Sequence, residues 1–196
     1  MRLKSLCVGF LLCFLMALVT ACSGGNENPT PSNQTKSDYP KEIISLARIE
    51  SINLGTTLSI LEQVESNYSK WEQGEVTRES LAEQLVPLYQ EVNKIQDDYL
   101  KFCKDTDFNK SPAADHEAYQ GGLYQGEMVR KRIMRFIRDT SAGYPAAEGV
   151  FPANAPKMDD SSLKQSYESH IASNIDKRIS NLQVTLSEFE EKGLLK

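Results

Sequence analysis

Residues 78–104 read RESLAEQLVPLYQEVNKIQDDYLKFCK, and their apolar side chains recur at alternating steps of four and three residues. The repeating positions are Leu81, Leu85, Leu88, Val92, Ile95, Tyr99 and Phe102. Alternating steps of four and three keep side chains on one face of an α-helix, so the pattern predicts a helix with one buried seam. Thr77 is placed to cap its first turn. Pro87 should kink the helix, because proline lacks an amide hydrogen and crowds the preceding turn.

Three further stretches of similar length show helical spacing and little proline or glycine. They lie at about 40–72, 111–141 and 160–192. Their predicted boundary residues are Gly74 after the first, Ser111-Pro112 at the start of the third, and Asp159 or Asp160 before and Gly193 after the fourth. A capping residue begins a helix, and glycine commonly ends one. No stretch alternates convincingly with period two, so we expect no sheet.

The connections at 73–77 and 105–111 are short, which forces neighbouring helices to run antiparallel. Four amphipathic helices of matched length then bury their apolar faces as an up-down-up-down bundle. The sequence therefore predicts an all-α, antiparallel four-helix bundle over residues 39–196. Periodicity alone leaves open a helical dimer that exchanges hairpins.

The third connection, residues 142–158, is longer and reads AGYPAAEGVFPANAPKM. We call it the strap. It carries three prolines together with Tyr144, Val150 and Phe151. Long ordered loops are often functional, but apolar loop residues usually pack inward. We expect aromatic side chains of the strap to cover one end of the core.

The first 22 residues have the layout of an export signal. Arg2 and Lys4 precede an apolar run from Leu6 to Val19, which is too short to cross a bilayer that needs roughly 20 residues. Val19-Thr20-Ala21-Cys22 follows, an apolar residue, two small residues and a cysteine. This order resembles the lipobox of bacterial lipoproteins. An ordinary cleaved signal peptide that happens to precede a cysteine is the alternative.

The resemblance implies a membrane-anchored chain. In that family the signal, here residues 1–21, is removed, and the cysteine, here Cys22, carries a diacylglyceryl group on sulfur and usually an acyl chain, such as palmitate, on its amine. Two or three acyl chains hold a protein firmly at a membrane. Residues 22–38 contain almost nothing apolar, which predicts a lipidated cysteine followed by a disordered tether. The implied location is the cell membrane or outer membrane, facing away from the cytoplasm.

Charge and cysteine content narrow the function classes. Removal of Arg2 and Lys4 with the signal leaves 20 basic and 27 acidic residues, a formal charge of −7. An acidic domain is a poor candidate for binding nucleic acid. Cys103 is the one cysteine beyond Cys22, so we expect no internal disulfide and a buried, unreactive thiol.

Two sets of residues could be considered as metal sites, but they do not fit metal binding. DTDFNKSPAADHE, residues 105–117, begins like a calcium loop, but Lys110 replaces the required glycine and His116 the required glutamate. His116 and His170 should lie roughly 20–25 Å apart in an antiparallel bundle, too far to share a metal. No catalytic motif is present either. We therefore expect no metal, no cofactor and no enzymatic activity.

The third helix carries the candidate site. Lys131, Arg135 and Arg138 share one face, at spacings of four and three. We call these three residues the basic face. It could contact an anionic or protein partner of the envelope, or it could be a solvated face paired with Glu62, Glu65 and Glu72 on the first helix.

Gly122 and Gly126 in the same helix suggest close packing of a neighbouring helix, or a gap for a ligand. The sequence thus favours a non-enzymatic structural or interaction lipoprotein of the cell envelope. The alternative is a small-ligand binding helical module, with a pocket where these glycines meet the strap.

Overall fold

The computed structural model describes residues 39–152 and 154–196. The signal peptide, the lipobox at Cys22 and the tether at 22–38 lie outside the described residues. Within the described part the chain is helical, with a single isolated bridge between Glu148 and Phe151 and no strand. None of these helices is both long and apolar enough to cross a lipid bilayer.

Four helical rods run up, down, up and down, as predicted. The first two rods are single helices, α1 (Lys41–Glu72) and α2 (Arg78–Asp105). The third rod is a π-helical turn, Tyr119–Leu123, that leads into α3 (Tyr124–Ser141). The fourth is α4 (Asp160–Tyr167), a second π-helical turn at Glu168–Ala172, and α5 (Ile175–Glu191).

The seam of α2 is buried as its spacing predicts. Six of its seven positions are at most 8% exposed, and Phe102 at the end is half-buried beside the fully packed Cys103. The Thr77 hydroxyl accepts a hydrogen bond from the Ser80 amide, which confirms the predicted cap. The helix continues through Pro87 to Asp105. Pro87 and Glu83, whose carbonyl loses its amide partner, lie on the exposed face, where water can replace the missing bond.

The prediction that the third helix begins at Ser111-Pro112 is wrong. Ser111 does cap, since its hydroxyl accepts from the Ala113 amide, but the capped element is a single 3₁₀ turn at Pro112–Asp115. The backbone then becomes extended at His116, and helical geometry starts after it. Phe108 and Ala113 are buried in the end of the core, which fixes this turned segment across the bundle.

The prediction of one continuous fourth helix over 160–192 is also wrong. Asn174 has a left-handed backbone (φ 65°) and separates α5 from the π-helical turn. The predicted ends are correct, because the Asp159 carboxylate accepts the Ser162 amide at 2.7 Å and Gly193 adopts φ 70°. The hydrogen bond from the Ser162 amide is the main reason that the pKa of Asp159 is lowered.

Besides a small cluster where the strap packs on α2, the described core consists of two large apolar clusters along the bundle. One is built around Val64, Leu85, Ile133 and Leu163, and the other around Leu46, Tyr99, Leu123 and Phe189. Between the two clusters, α1, α2 and α3 each contribute buried polar side chains. These are Glu50, Gln96, Glu127 and Arg130, all at most 6% exposed. A polar layer therefore interrupts the core at mid-height.

Candidate functional site

The basic face lies on α3, but its three members have different surroundings. Arg135 and Arg138 are exposed, whereas the Lys131 side chain is 41% exposed and forms an ion pair with Glu127. The Glu127 side chain is only 8% exposed and also accepts the Tyr99 hydroxyl at 3.1 Å. Lys131 therefore neutralises a nearly buried carboxylate. A role for Lys131 in binding a partner stays a prediction.

The alternative, a pairing of these cations with Glu62, Glu65 and Glu72 of the first helix, is not seen among the described residues. Arg138 pairs instead with the adjacent Asp139, at 3.2 Å, and Glu72 pairs with Lys164 of α4 at 3.6 Å. Among the described residues, Arg135 makes no hydrogen bond or ion pair. The exposed cations of α3 are thus left unneutralised by α1.

Two arginines that the sequence did not single out lie beside Arg135. Arg132 donates from Nη1 to the carbonyl oxygens of Ser169 at 2.7 Å and Ser173 at 3.3 Å. Both carbonyls lie at the π-helical turn and the break after it, and the Ser169 carbonyl also accepts the Ser173 hydroxyl at 3.1 Å, so Arg132 helps to cap the interrupted helix. Arg178 of α5 donates to the Gln125 amide oxygen at 2.5 Å.

The pKa of Arg132 is lowered, first by desolvation and then by repulsion from Arg178 and Arg135. Since like charges disfavour the protonated form, this shift means that the three guanidinium groups share one local field. Arg132 and Arg178 are partly buried and occupied by hydrogen bonds, while Arg135 projects into solvent.

His170, on the π-helical turn, lies in the same field. Its pKa is lowered by desolvation first, and also by Arg132, Arg135 and Arg138, against the opposing effect of Asp139. The Asp139 carboxylate lies 3.7 Å from His170 Nε2 and accepts the Ser166 hydroxyl at 2.9 Å. We call Arg132, Arg135, Arg138, Arg178 and His170 the basic patch. It joins α3 to the fourth rod, and one carboxylate, Asp139, lies within it.

Arg130, which directly precedes Lys131 on α3, belongs to the polar layer. Arg130 is 1% exposed and makes a bidentate pair with Glu50, Nη1 to Oε2 at 2.7 Å and Nη2 to Oε1 at 2.8 Å. Its Nε donates to the Gln96 amide oxygen at 3.1 Å, and its guanidinium carbon lies 5.2 Å from the centre of the Tyr99 ring. Arg130 therefore links three rods inside the core and has no part in surface binding.

Gly122 and Gly126 of the third rod provide close packing, as the sequence favoured. A Cβ atom on Gly126 would lie 2.2 Å from a Glu50 carboxylate oxygen, and one on Gly122 would lie 1.8 Å from the Thr185 hydroxyl of α5. Neither glycine borders the strap, which follows Ser141 and packs on Val86 and Tyr89 of α2 through Ala147 and Phe151. The pocket that the alternative hypothesis places between the glycines and the strap is therefore not found among the described residues.

The described residues contain no group of three or more metal-binding side chains. In the calcium-like segment, Asp107 pairs with Lys110 at 3.2 Å. His116 packs against the Tyr39 ring, whereas His170 contacts Asp139, so the two histidines have separate neighbours. Burial is the main reason that the pKa of the Cys103 thiol is raised, which favours its protonated form over the reactive thiolate.

No protein-family model, curated protein or solved structure matches this chain. Any function must therefore be argued from the residues themselves. Three features of the described residues are not accounted for by the packing of apolar side chains alone. They are the basic patch, the polar layer and the strap.

Proposed function

We propose that this chain is a non-enzymatic interaction module of the cell envelope, held at a membrane through an acylated Cys22, and that its basic patch binds an anionic partner. The lipobox-like order at 19–22 supports the anchor. The observation that carries the binding proposal is the clustering of the cations of the patch on α3 and the fourth rod, with Arg135 and Arg138 exposed. An acidic chain gains nothing in solubility from concentrating its cations, so their clustering favours a role in contact.

The pKa values of Arg132 and His170 are lowered mainly by desolvation and further by repulsion from neighbouring arginines, and anion binding would relieve that repulsion. Arg135 and Arg138 are the residues that reach solvent, so they would make the direct contacts. Arg132, held by two carbonyl oxygens, would contribute charge from a fixed position. Guanidinium groups suit carboxylate and phosphate partners because they present several donors in one plane.

The experiment is cross-linking in intact cells with the double variant Arg135→Glu/Arg138→Glu. This variant should lose cross-linked partners while it keeps its fold, because exposed ion pairs contribute only about 0–1 kcal/mol each. Lys131 is left unchanged, since its reversal would place a second carboxylate beside Glu127.

The matched control is Lys101→Glu/Lys104→Glu on α2. These lysines are exposed, have the same spacing of three residues and give the same change of charge. The control should retain the partners. Loss of the same partners from both variants would point to net charge, and retention by both would contradict a role for the patch.

A further inference from the structure

The described residues of the strap, 142–152 and 154–158, form a loop whose two ends lie close together. Gly143 adopts φ 80°, and a Cβ there would lie 2.7 Å from the Ala155 carbonyl oxygen and 3.0 Å from Lys157 Cγ. The two ends of the loop can therefore meet only because residue 143 has no side chain. Compact surface loops whose ends lie close together are frequently functional.

Internal bonds fix the shape of the strap. The amides of Ala147, Val150 and Phe151 donate to carbonyl oxygens three or four residues earlier, within a turn at Pro145–Ala147 and the bridge to Phe151. Arg78 of α2 holds both ends, since its Nη2 donates to the carbonyl oxygens of Thr140 at 3.5 Å and Met158 at 3.3 Å. A loop that is tied this tightly has little conformational entropy left to lose on binding a ligand.

The strap surrounds a cleft of about 310 Å³. Its apolar walls come from Tyr144, Pro145, Phe151 and Pro152. Phe151 is 8% exposed and is anchored edge-on against Tyr89 of α2, with ring centres 4.6 Å apart, so this wall is rigid. The volume is at the lower limit for small-molecule sites, which restricts the ligand to the size of an amino acid or a dipeptide.

Two opposite charges also line the cleft. Lys157 and Glu148 are both exposed, and neither forms an ion pair or side-chain hydrogen bond with another described residue. The Lys157 ammonium lies 4.2 Å from the centre of the Tyr144 ring, which positions it over the cleft wall. Opposite charges that line one cleft without pairing are complementary to a ligand that carries both charges itself.

We propose that the strap binds a small zwitterion, a free amino acid or a dipeptide, with the ligand carboxylate on Lys157, the ammonium on Glu148 and an apolar side chain against Phe151. A purely anionic ligand would leave Glu148 without an opposite charge, and a purely cationic ligand would leave Lys157 without one. A sugar ring would need the Tyr144 face for stacking, and Lys157 covers that face. This site is independent of the basic patch, because it lies beyond the end of α3.

The test is saturation-transfer NMR with the full chain in detergent, using leucine and alanyl-leucine as probes, followed by titration calorimetry. The two matched ligands are 4-methylpentanoate, which lacks the ammonium group of leucine, and 3-methylbutylamine, which lacks its carboxylate. Both should bind more weakly than leucine. Lys157→Met and Glu148→Gln should each lower leucine affinity by about threefold to tenfold, as expected for one exposed charged contact.

The assignment of the two charges is tested by crossing variants and ligands. Lys157→Met should leave the affinity for 3-methylbutylamine unchanged, and Glu148→Gln should leave that for 4-methylpentanoate unchanged. Arg135→Glu/Arg138→Glu should bind leucine like the wild type, so failure of the basic patch and failure of this site can be told apart. The proposal is overturned if neither zwitterion gives a signal at about 10 mM, or if both variants bind leucine with wild-type affinity.

Discussion

Removing Arg130 should be the most damaging single change in the core. The Glu50 carboxylate is 1% exposed, and Arg130→Met removes the cation that pairs with it. The substitution also removes the donor to Gln96. Breaking a buried ion pair by deleting one partner costs about 3–5 kcal/mol, because the remaining charge is uncompensated. For a domain of this length, a loss of that size lowers the melting temperature by roughly 6–20 °C.

The double variant Glu50→Met/Arg130→Met separates the charge from the packing. Replacing both members of a buried pair with apolar side chains of similar volume is often neutral or stabilising by about 1–4 kcal/mol. We therefore expect the double variant to recover most or all of the stability lost in the single variant. The assay is urea and thermal unfolding followed by far-UV circular dichroism, with the free energy of unfolding compared among wild type, single variant and double variant.

Two results would refute this reasoning. A single variant that loses less than about 1 kcal/mol would mean that Glu50 is not held as an uncompensated buried charge. A double variant as unstable as the single one would mean that the polar layer stabilises through its shape and hydrogen bonds rather than by neutralising Glu50. In that case the bidentate geometry would be a consequence of packing, and removal of its charge would not restore stability.

Three further predictions concern the anchor, the glycines and the histidine of the basic patch. Cys22→Ala should abolish membrane retention in cell fractionation, and wild-type protein that a fatty-acid probe fails to label would contradict the anchor. Gly126→Ala should lower the melting temperature because its Cβ would meet the Glu50 carboxylate at 2.2 Å, whereas Gly121→Ala, with nothing within 4 Å, should be neutral or stabilising by about 0.5–1 kcal/mol. Because the fold lowers the pKa of His170, the unfolded chain binds its proton more readily, so stability should fall as pH drops below about 6.5. His170→Gln should lose less stability over that range in pH-dependent urea unfolding, and an unchanged pH profile would contradict the shift.

The bundle could be predicted because its signal is local and repeated. An unbroken alternation of four and three along 81–102 indicates one buried face, and the short connections leave one arrangement for neighbouring helices. The caps at Thr77 and Asp159 and the terminating glycines at 74 and 193 are short-range signals of the same kind. These features depend on neighbours within a few residues, so the sequence specifies them without knowledge of the packed structure.

The spacing of the apolar residues in the fourth rod already indicates that this rod is not one straight helix. Leu163, Tyr167, Ile171, Ile175 and Ile179 follow one another in steps of four. Each such step exceeds a helical turn by about 40°, so these residues drift off one face of a straight α-helix. The wider π-helical turn at Glu168–Ala172 and the break at Asn174 keep these positions at least half-buried.

The candidate site was harder to predict because its parts come from different rods. Arg130, Lys131 and Arg132 are consecutive, yet one pairs in the core, one neutralises Glu127 and one caps a broken helix. Helical rotation separates neighbours in this way, but only the partners on other rods decide what each side chain does. The approach of Arg178 and His170 depends on the same tertiary contacts, and no local pattern encodes it.

The most direct test of the basic patch is an NMR titration of the chain in detergent with polyglutamate, following the imidazole protons of both histidines. We predict that the pKa of His170 rises as the polyanion binds, because the added negative charge offsets Arg132, Arg135 and Arg138. The rise should weaken with salt, since exposed charges are screened within about 10 Å at 0.1 M. It should be lost in Arg135→Glu/Arg138→Glu and retained in Lys101→Glu/Lys104→Glu. A His170 pKa that does not change with polyglutamate, or that changes equally in both variants, would contradict the proposal that this patch is the binding surface.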